Sequence, residues 1–471
     1  MLITDDKFLF FDTAVTKSIT NMSLKPGDVA KSPQNPLFKE DFFSEPPRPW
    51  EARYDNGYPN VFYDAEYGLY RCYYTLFSKD DVSANTPPEA RRGSQYVPKP
   101  GRETSLAYAY SKDGTEWVKP SLGTVQFAGD SDNNLIMRNA HGASVFRDER
   151  ETDPGKRYKM MLRLDDEPRL LAASFSADGI HWREPIPWEP KERLIKADTH
   201  NFAFRDGHSG KYILISRHWN QGVRVVVRSE SDDFIHWSKP AEVYRGIGSD
   251  DQIYSMPIFR YGNLYIGLAA IYRDGDRELA HWDKVDCELT YSGDTITWNR
   301  ICPGTPFIPR GAGEYPDGDC DSGCIYPSVP VFHPDRIDLY YMGGNGQHTN
   351  FRETGLCVAS IGLDRFAGYE PSDLSREGCL ETSVLKMTGS RRLHLTADVW
   401  DNGYVKAEIR DRSGKPVDGY RFEQFRTITE TTTGGTASWE QNGEIGMPDA
   451  GFTIRFRVKN AKLYAGEMRQ R

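Results

Sequence analysis

A serine, an aspartate two residues on and a tryptophan four residues beyond that recur four times with invariant offsets: Ser111-Asp113-Trp117, Ser176-Asp178-Trp182, Ser231-Asp233-Trp237 and Ser292-Asp294-Trp298. Successive copies start 65, 55 and 61 residues apart. That period is too long for an α-helical solenoid repeat and suits a four-stranded propeller blade with its loops. A short strand ending in a turn and a second, Tyr-rich strand precede each copy. They run from Pro59 to Asp64 then Tyr70 to Tyr74, Ala143 to Asp148 then Tyr158 to Met161, Asn201 to Asp206 then Tyr212 to Ile215, and Met256 to Arg260 then Leu264 to Gly267. A fifth copy, Val329 to Asp335 then Leu339 to Tyr341, is followed by Ser360 and Phe366, which keep the Ser-to-Trp offset with Phe in place of Trp. The pattern predicts five blades.

A motif supplied by every repeat serves the repeat. The Ser and Asp side chains are expected to cap a hairpin turn and the Trp to pack between blades. Asp64, Asp148 and Asp206 likewise share one position, the turn closing the first strand, and are assigned to structure.

The 471 residues, 38% hydrophobic and 13% aromatic, allow a large core and two domains. A net charge of −9 without long single-sign blocks argues against a nucleic-acid groove or an anionic membrane surface and suits a neutral substrate. No apolar run is long enough to span a bilayer, and the first residues lack the basic and apolar pattern of a leader. Seven scattered cysteines (Cys72, Cys287, Cys302, Cys320, Cys324, Cys357, Cys379) fit free thiols in a reducing compartment, so a cytoplasmic location is expected.

Residues 1–50, Pro-rich toward their end, are expected to run as a strap along the propeller, which occupies 51–375. The Pro-bearing stretch between Ser78 and Arg102 reads as a long loop inside blade one. From Leu393 onward, alternating segments (393–397, 405–409, 452–458) separated by Asp401-Asn-Gly403 and Arg412-Ser-Gly-Lys-Pro416 predict a C-terminal β-sandwich over 380–471. Helical periodicity is almost absent. The expected fold class is therefore all-β, a five-bladed β-propeller followed by a C-terminal β-sandwich.

This layout resembles the five-bladed propeller glycoside hydrolases of the fructosidase, arabinanase and levansucrase superfamily, and its two-domain order is most similar to family 32 enzymes. The repeats and the tail together cover nearly the whole chain. Two motifs differ: Tyr58-Pro59-Asn60 stands where those enzymes place Asp before Pro-Asn, and their second-blade Arg-Asp-Pro is missing. The Ser-x-Asp-x-x-x-Trp element also resembles the Asp-box of sialidase-type propellers.

In a propeller the functional residues are expected where the first strands begin, at positions that differ between blades. Blade one offers Glu51 and Asp55, blade two His141, blade three Asp198 and His200, blade four Asp251, and the approach to blade five Glu314 and Asp317. Glycoside hydrolysis needs two carboxyls across the scissile bond, one protonated and one ionised. The resemblance implies that Asp55 corresponds to the first-blade nucleophile or base and Asp198 to the third-blade acid, where the family has Glu; Asp251 completes the catalytic set. Substrate binding is assigned to Glu51, His141, His200, Arg217, Trp219, Glu314, Asp317 and His348. Arg217-His218-Trp219 offers a guanidinium, an imidazole and a stacking face, and His348 lies in a Gly-rich loop.

No zinc spacing, phosphate loop or nucleophile elbow is present, so no cofactor is expected, with an axial Ca²⁺ left open from the propeller relatives. The expected activity is an exo-acting glycoside hydrolase that removes a terminal furanose or similar sugar. A non-catalytic carbohydrate-binding protein and a glycoside phosphorylase or lyase on the same scaffold remain as alternatives. The expected partner is a carbohydrate, with no nucleic acid and no membrane.

Overall fold

The computed structural model describes residues 2–3, 7–188, 197–387, 389–446 and 451–470. Each Ser-x-Asp-x-x-x-Trp motif closes the hairpin between the third and fourth strands of a β-unit. In the first copy Asp113 Oδ1 accepts the backbone N–H groups of Thr115 and Glu116, both at 2.8 Å, and the Trp117 indole donates to the Gly114 carbonyl at 3.1 Å. Asp178, Asp233 and Asp294 accept the equivalent pairs. The carboxylate takes the place of backbone acceptors that a tight turn cannot supply.

Blade one runs Asn60–Asp64, Leu69–Lys79, Glu103–Ser111 and Trp117–Val118. Blade two is Ala140–Arg147, Tyr158–Leu164, Leu171–Ser176 and Ile186–Pro187. Blade three is Phe202–Arg205, Tyr212–Asn220, Val223–Ser231 and Ala241–Arg245. In blade four the first strand is split into Asp251–Ser255 and Ile258–Tyr261, ahead of Leu264–Arg273, Lys284–Ser292 and Asn299–Ile301. The innermost segments gather round one axis: at one end Val61, Val145, Ala203, Ile258 and Val329 line a common cavity of about 390 Å³.

The shared aspartates join neighbouring blades. Asp64 accepts the Tyr158 hydroxyl of blade two, Asp148 that of Tyr212 in blade three (2.7 Å), and Asp206 that of Tyr265 in blade four (2.6 Å). The motif tryptophans also pack across seams: Trp237 is buried and stacks on Trp188 of blade two, and Trp117 meets Tyr340 of blade five edge-on.

Blade five consists of Cys324–Pro327 with Val331–Phe332, Arg336–Gly344 and Thr354–Gly362. Its outer edge is covered from the far end of the chain, by Ala30–Lys31 and Phe38–Lys39. After Gly362 the chain leaves the propeller, and Phe366, fully buried, enters the core shared with the C-terminal domain. The fifth repeat, with Phe366 at the tryptophan position, thus takes its outer strand from the N-terminal segment.

Residues near the N-terminus therefore do more than strap the propeller. Lys7–Leu9, Thr16–Thr20 and Met22–Pro26 join Ala367–Pro371, Gly378–Thr382, Arg392–Arg410, Thr432–Ala437 and Thr453–Arg469 in one eight-stranded sheet. This sheet wraps around a core that includes Phe8, Phe10, Leu395, Trp439 and Phe456. The segments 393–397 and 405–409, expected as separate strands, form one strand; Asn402, at φ 57°, makes a register-shifting bulge instead of a turn. Leu9, Phe11, Ile266, Tyr341, Phe366 and Tyr464 belong to a single apolar cluster, so propeller and sandwich share a core. No helix among the described residues is long and apolar enough to cross a membrane.

Candidate active site

Strand direction fixes which residues can meet. First strands begin and second strands end at the same face of the ring, so Asp55, His141, Asp198 and His200 converge with the ends of the neighbouring second strands, Arg163 and Arg217. At this mouth the axis is closed by aromatic rings. Tyr58 stacks on His200 (5.9 Å between centroids) and meets Tyr326 at 6.2 Å and His141 at 6.2 Å. Tyr254 lies 5.9 Å from Tyr326 and 4.6 Å from His348. Tyr58, His141, His200, Tyr254 and Tyr326 come one from each blade. Hydrogen bonds lock this floor: Asn56 Nδ2 donates to the Tyr58 hydroxyl (2.8 Å) and the Tyr254 hydroxyl (3.3 Å), and the Tyr326 hydroxyl and His348 Nδ1 are 2.6 Å apart. His200 Nε2 bonds Asn60 Oδ1 at 3.0 Å.

The aspartates around the floor are held by arginines. Asp55 receives Arg352 at 2.9 Å and Arg53 at 3.2 Å. Asp198, with a side chain 40% exposed, pairs with Arg217, which is 3% exposed. Asp165 pairs with Arg163, stands 3.3 Å from His141 Nδ1 and accepts Thr104 Oγ1 at 2.7 Å. Burial pushes all three carboxyls up, yet these partners hold each below the ordinary aspartate value: Arg352 and Arg53 for Asp55, the hydrogen-bonded His141 and Arg163 for Asp165, and Arg217 for Asp198. Burial drives His200 down to about 3, and burial with Arg352, Arg224 and Arg217 close by holds His348 well below its usual range. Near neutral pH the mouth thus offers ionised carboxylates at Asp55, Asp165 and Asp198 and neutral imidazoles at His200 and His348.

Glu40, just beyond the Phe38–Lys39 strand, behaves differently. Burial lifts its carboxyl to about 7, against the Thr354 N–H that it accepts at 3.1 Å and the nearby Arg91 and Arg53. Thr354 also donates its hydroxyl to the Asp55 carbonyl at 3.0 Å, which ties this glutamate to the wall of the mouth. The backbone entering the first strands is strained: Asp55, Tyr58, Asn139 and Ala197 all take positive φ, between 42° and 54°. Such residues cluster where surrounding structure holds a functional geometry in place.

The residues expected from the sequence are not all brought together. Asp55, Asp198, His141, His200, Arg217, Trp219 and His348 lie at or beside the mouth. Glu51 is buried elsewhere in blade one, where it pairs with Lys119 (2.8 Å), accepts the Tyr54 hydroxyl (2.9 Å) and holds the Asp41 N–H (2.9 Å). Asp251 joins Arg273 and Arg300 in a network that runs through Glu288 to the outer strand of blade four. Asp317 is exposed and pairs with Arg92 at 2.6 Å. Glu314 lines a separate cavity of about 570 Å³ with Arg91, Trp282, Lys284 and Phe351.

Arg53, Arg163, Asp165, Arg224 and Arg352 escape the sequence reading because none is a carboxylate at a first-strand start. Part of the signal was present: Arg163 and Arg217 stand five residues after the equivalent Tyr158 and Tyr212. Among the described residues no three His, Cys, Asp or Glu side chains are grouped to hold a metal ion. The described cysteines are free thiols, with Cys320 and Cys357 sulfurs 3.6 Å apart.

No protein-family model matches the chain, and no curated protein matches it. Solved structures do. An N-acetylgalactosamine deacetylase from F. plautii, in complex with blood group B trisaccharide, is 16% identical over 74% of this chain and 97% of its own, with a TM-score of 0.45. A member of the GH130 family of mannoside phosphorylases, a family that contains glycoside hydrolases targeting β-1,2 mannosidic linkages in Candida mannan, is 15% identical over 71% and 94%, with a TM-score of 0.46. A glycosyl hydrolase from Bacteroides ovatus is 17% identical over 71% and 94%, at 0.45.

Proposed function

We propose that this chain is a carbohydrate-active enzyme that breaks glycosidic bonds at the propeller mouth, acting on the end of its substrate as a glycoside hydrolase. The observation that carries this reading is the convergence of Asp55, Asp198, His141 and His348, each supplied once and from different blades, on a floor of buried rings with strained backbone around it. Because Tyr58, Tyr254 and Tyr326 close the axis, a sugar reaching Asp198 enters from one side only, which suits removal of a terminal unit such as a furanose. Asp198, which the family resemblance implied as the acid, is paired with Arg217 and held ionised, so it is assigned instead as base or nucleophile, with Asp55 as the second carboxylate against the anomeric centre.

A lyase is the second reading, and one observation favours it. The three mouth aspartates are held ionised, so none is ready to protonate a leaving group, whereas the Tyr326–His348 pair carries an exchangeable proton at 2.6 Å beside three arginines. Turnover of an oligosaccharide panel separates the two: a saturated reducing sugar marks hydrolysis, and an unsaturated product absorbing in the near ultraviolet marks elimination. In either chemistry Asp55→Asn and Asp198→Asn are expected to lose about 10²- to 10⁴-fold in rate. Asp148→Asn, which alters pairings with Tyr212, Arg205 and Lys159 at the seam of blades two and three, is expected to keep its turnover in the folded protein. An inactive, folded Asp148→Asn beside a normal Asp198→Asn would remove the mouth as the site.

A further inference from the structure

Buried arginines in this protein are as a rule matched by acids. Arg273 meets Asp251, Asp286 and Glu288; Arg71 meets Asp64; Arg352 meets Asp55. Arg224, on the third strand of blade three beside the mouth, departs from this pattern. Its guanidinium lies 4.4 Å from the Trp219 ring and 4.6 Å from the Tyr272 ring, its Nη1 donates to the neutral Gln252 amide at 2.7 Å, and it forms no ion pair among the described residues. Its Nε is buried without an acceptor.

Arg217 stands next to it on the adjoining strand. One nitrogen, Nη2, is spent on Asp198, and the guanidinium lies 4.5 Å from the centre of the Tyr254 ring and against its hydroxyl. Its Nε and Nη1 are nevertheless buried with no acceptor in hydrogen-bonding geometry, as is the Nε of Arg352 across the floor. A guanidinium stacked on aromatic rings keeps its N–H edge free for an acceptor in its plane, and a buried donor left unmet is costly. Two guanidiniums over one ring, 4.5 and 5.5 Å from the centre of Tyr254, at a mouth already furnished with a stacking tryptophan, suit the two oxygens of a carboxylate or the oxygens of a sulfate or phosphate.

We infer that Arg217 and Arg224 form an oxyanion-binding subsite at the propeller mouth and that the sugar accepted there carries an acidic group. The inference rests on the reading of the mouth as a carbohydrate site. The chain's overall acidity points the other way, toward a neutral substrate, but recognition depends on the local field, and a net charge of −9 spread over the surface does not cancel arginines fixed at contact distance.

Calorimetric titration without turnover tests this separately from catalysis. The probes are D-glucuronate and D-galacturonate, their neutral counterparts glucose and galactose, a sulfated monosaccharide, and inorganic phosphate alone. An acidic sugar is expected to bind at least about tenfold more tightly than its neutral counterpart, with the advantage shrinking as salt is raised. Arg224→Gln, whose side chain is only half-buried, is expected to abolish that preference while melting normally, and Arg224→Lys to keep part of it. Binding of phosphate alone, with acidic and neutral sugars equal, would assign the same arginines to a free oxyanion. Equal binding of all sugars with no response to phosphate or sulfate, or a preference unchanged in Arg224→Gln, overturns the subsite. Cleavage of neutral glycosides alongside such a result would leave the proposed activity standing; uronate binding with no turnover of any oligosaccharide would do the reverse.

Discussion

Two kinds of aspartate carry opposite meanings in this chain, and position in the repeat tells them apart. Asp148 has repeat-mates in Asp64 and Asp206 and, like them, receives a tyrosine of the next blade. Asp55 and Asp198 have none and face the mouth. Glu40 shows the limit of that logic, because its neighbours Thr354, Arg91 and Arg53 stand at unrelated positions in the sequence and only the fold assembles them. Its carboxyl, lifted to about 7, titrates above the unfolded value of about 4.3. Between those two values the unfolded chain releases a proton that the folded protein keeps, so this group lowers stability as pH rises through the window and adds nothing further above it. Glu40→Gln is expected to gain up to about 3 kcal/mol over the parent at pH 8 and nothing at pH 4. Denaturant melts at the two pH values check this, and an equal offset at both would show that Glu40 does not titrate there.

At the scale of the element, the motif hairpin is legible because all its parts lie within seven residues. Its tryptophans are not equivalent, however, and the sequence does not rank them. Trp237 is buried among Phe234, Tyr212 and Trp188, whereas Trp182 is half-exposed at the edge of its cluster. Trp237→Ala is expected to cost about 3–5 kcal/mol, and Trp182→Ala about 2 kcal/mol, through lost contacts and the cavity left behind. Thermal unfolding of the two variants decides the order. A larger loss at Trp182 would place the inter-blade packing elsewhere.

For the whole molecule, the two ends of the chain are each other's support. Ala30–Lys31 and Phe38–Lys39 complete blade five, Lys7–Leu9 pairs with Thr453–Arg469, and Leu9, Phe11, Phe366 and Tyr464 fill one core with blades four and five. Deleting residues 1–39 opens the last blade, and truncating after 375 strips the apolar cover from Phe366 and its neighbours. Both fragments are expected to be insoluble on expression. A soluble, active propeller from either would show that the shared core is dispensable, and solubility with a sugar-cleavage assay is the measurement.

The repeat period, the turn chemistry and the number of blades follow from the sequence alone, because the interactions that set them span a handful of residues and recur. The resemblance in domain order rests on the same local signals. Tertiary structure alone decided which strand covers blade five, since Ala30 and Ser360 lie at opposite ends of the chain and carry no mutual pattern. It also decided the chemistry of the mouth. Asp55 reads as a candidate nucleophile or base with no known partner until Arg352 arrives from nearly 300 residues away and holds it ionised, and Arg224 reads as an ordinary strand residue until Trp219, Tyr272 and Gln252 surround it without a carboxylate. Protonation state and free hydrogen-bonding capacity are set by the company a side chain keeps in space, and that company is fixed only when five blades close into a ring.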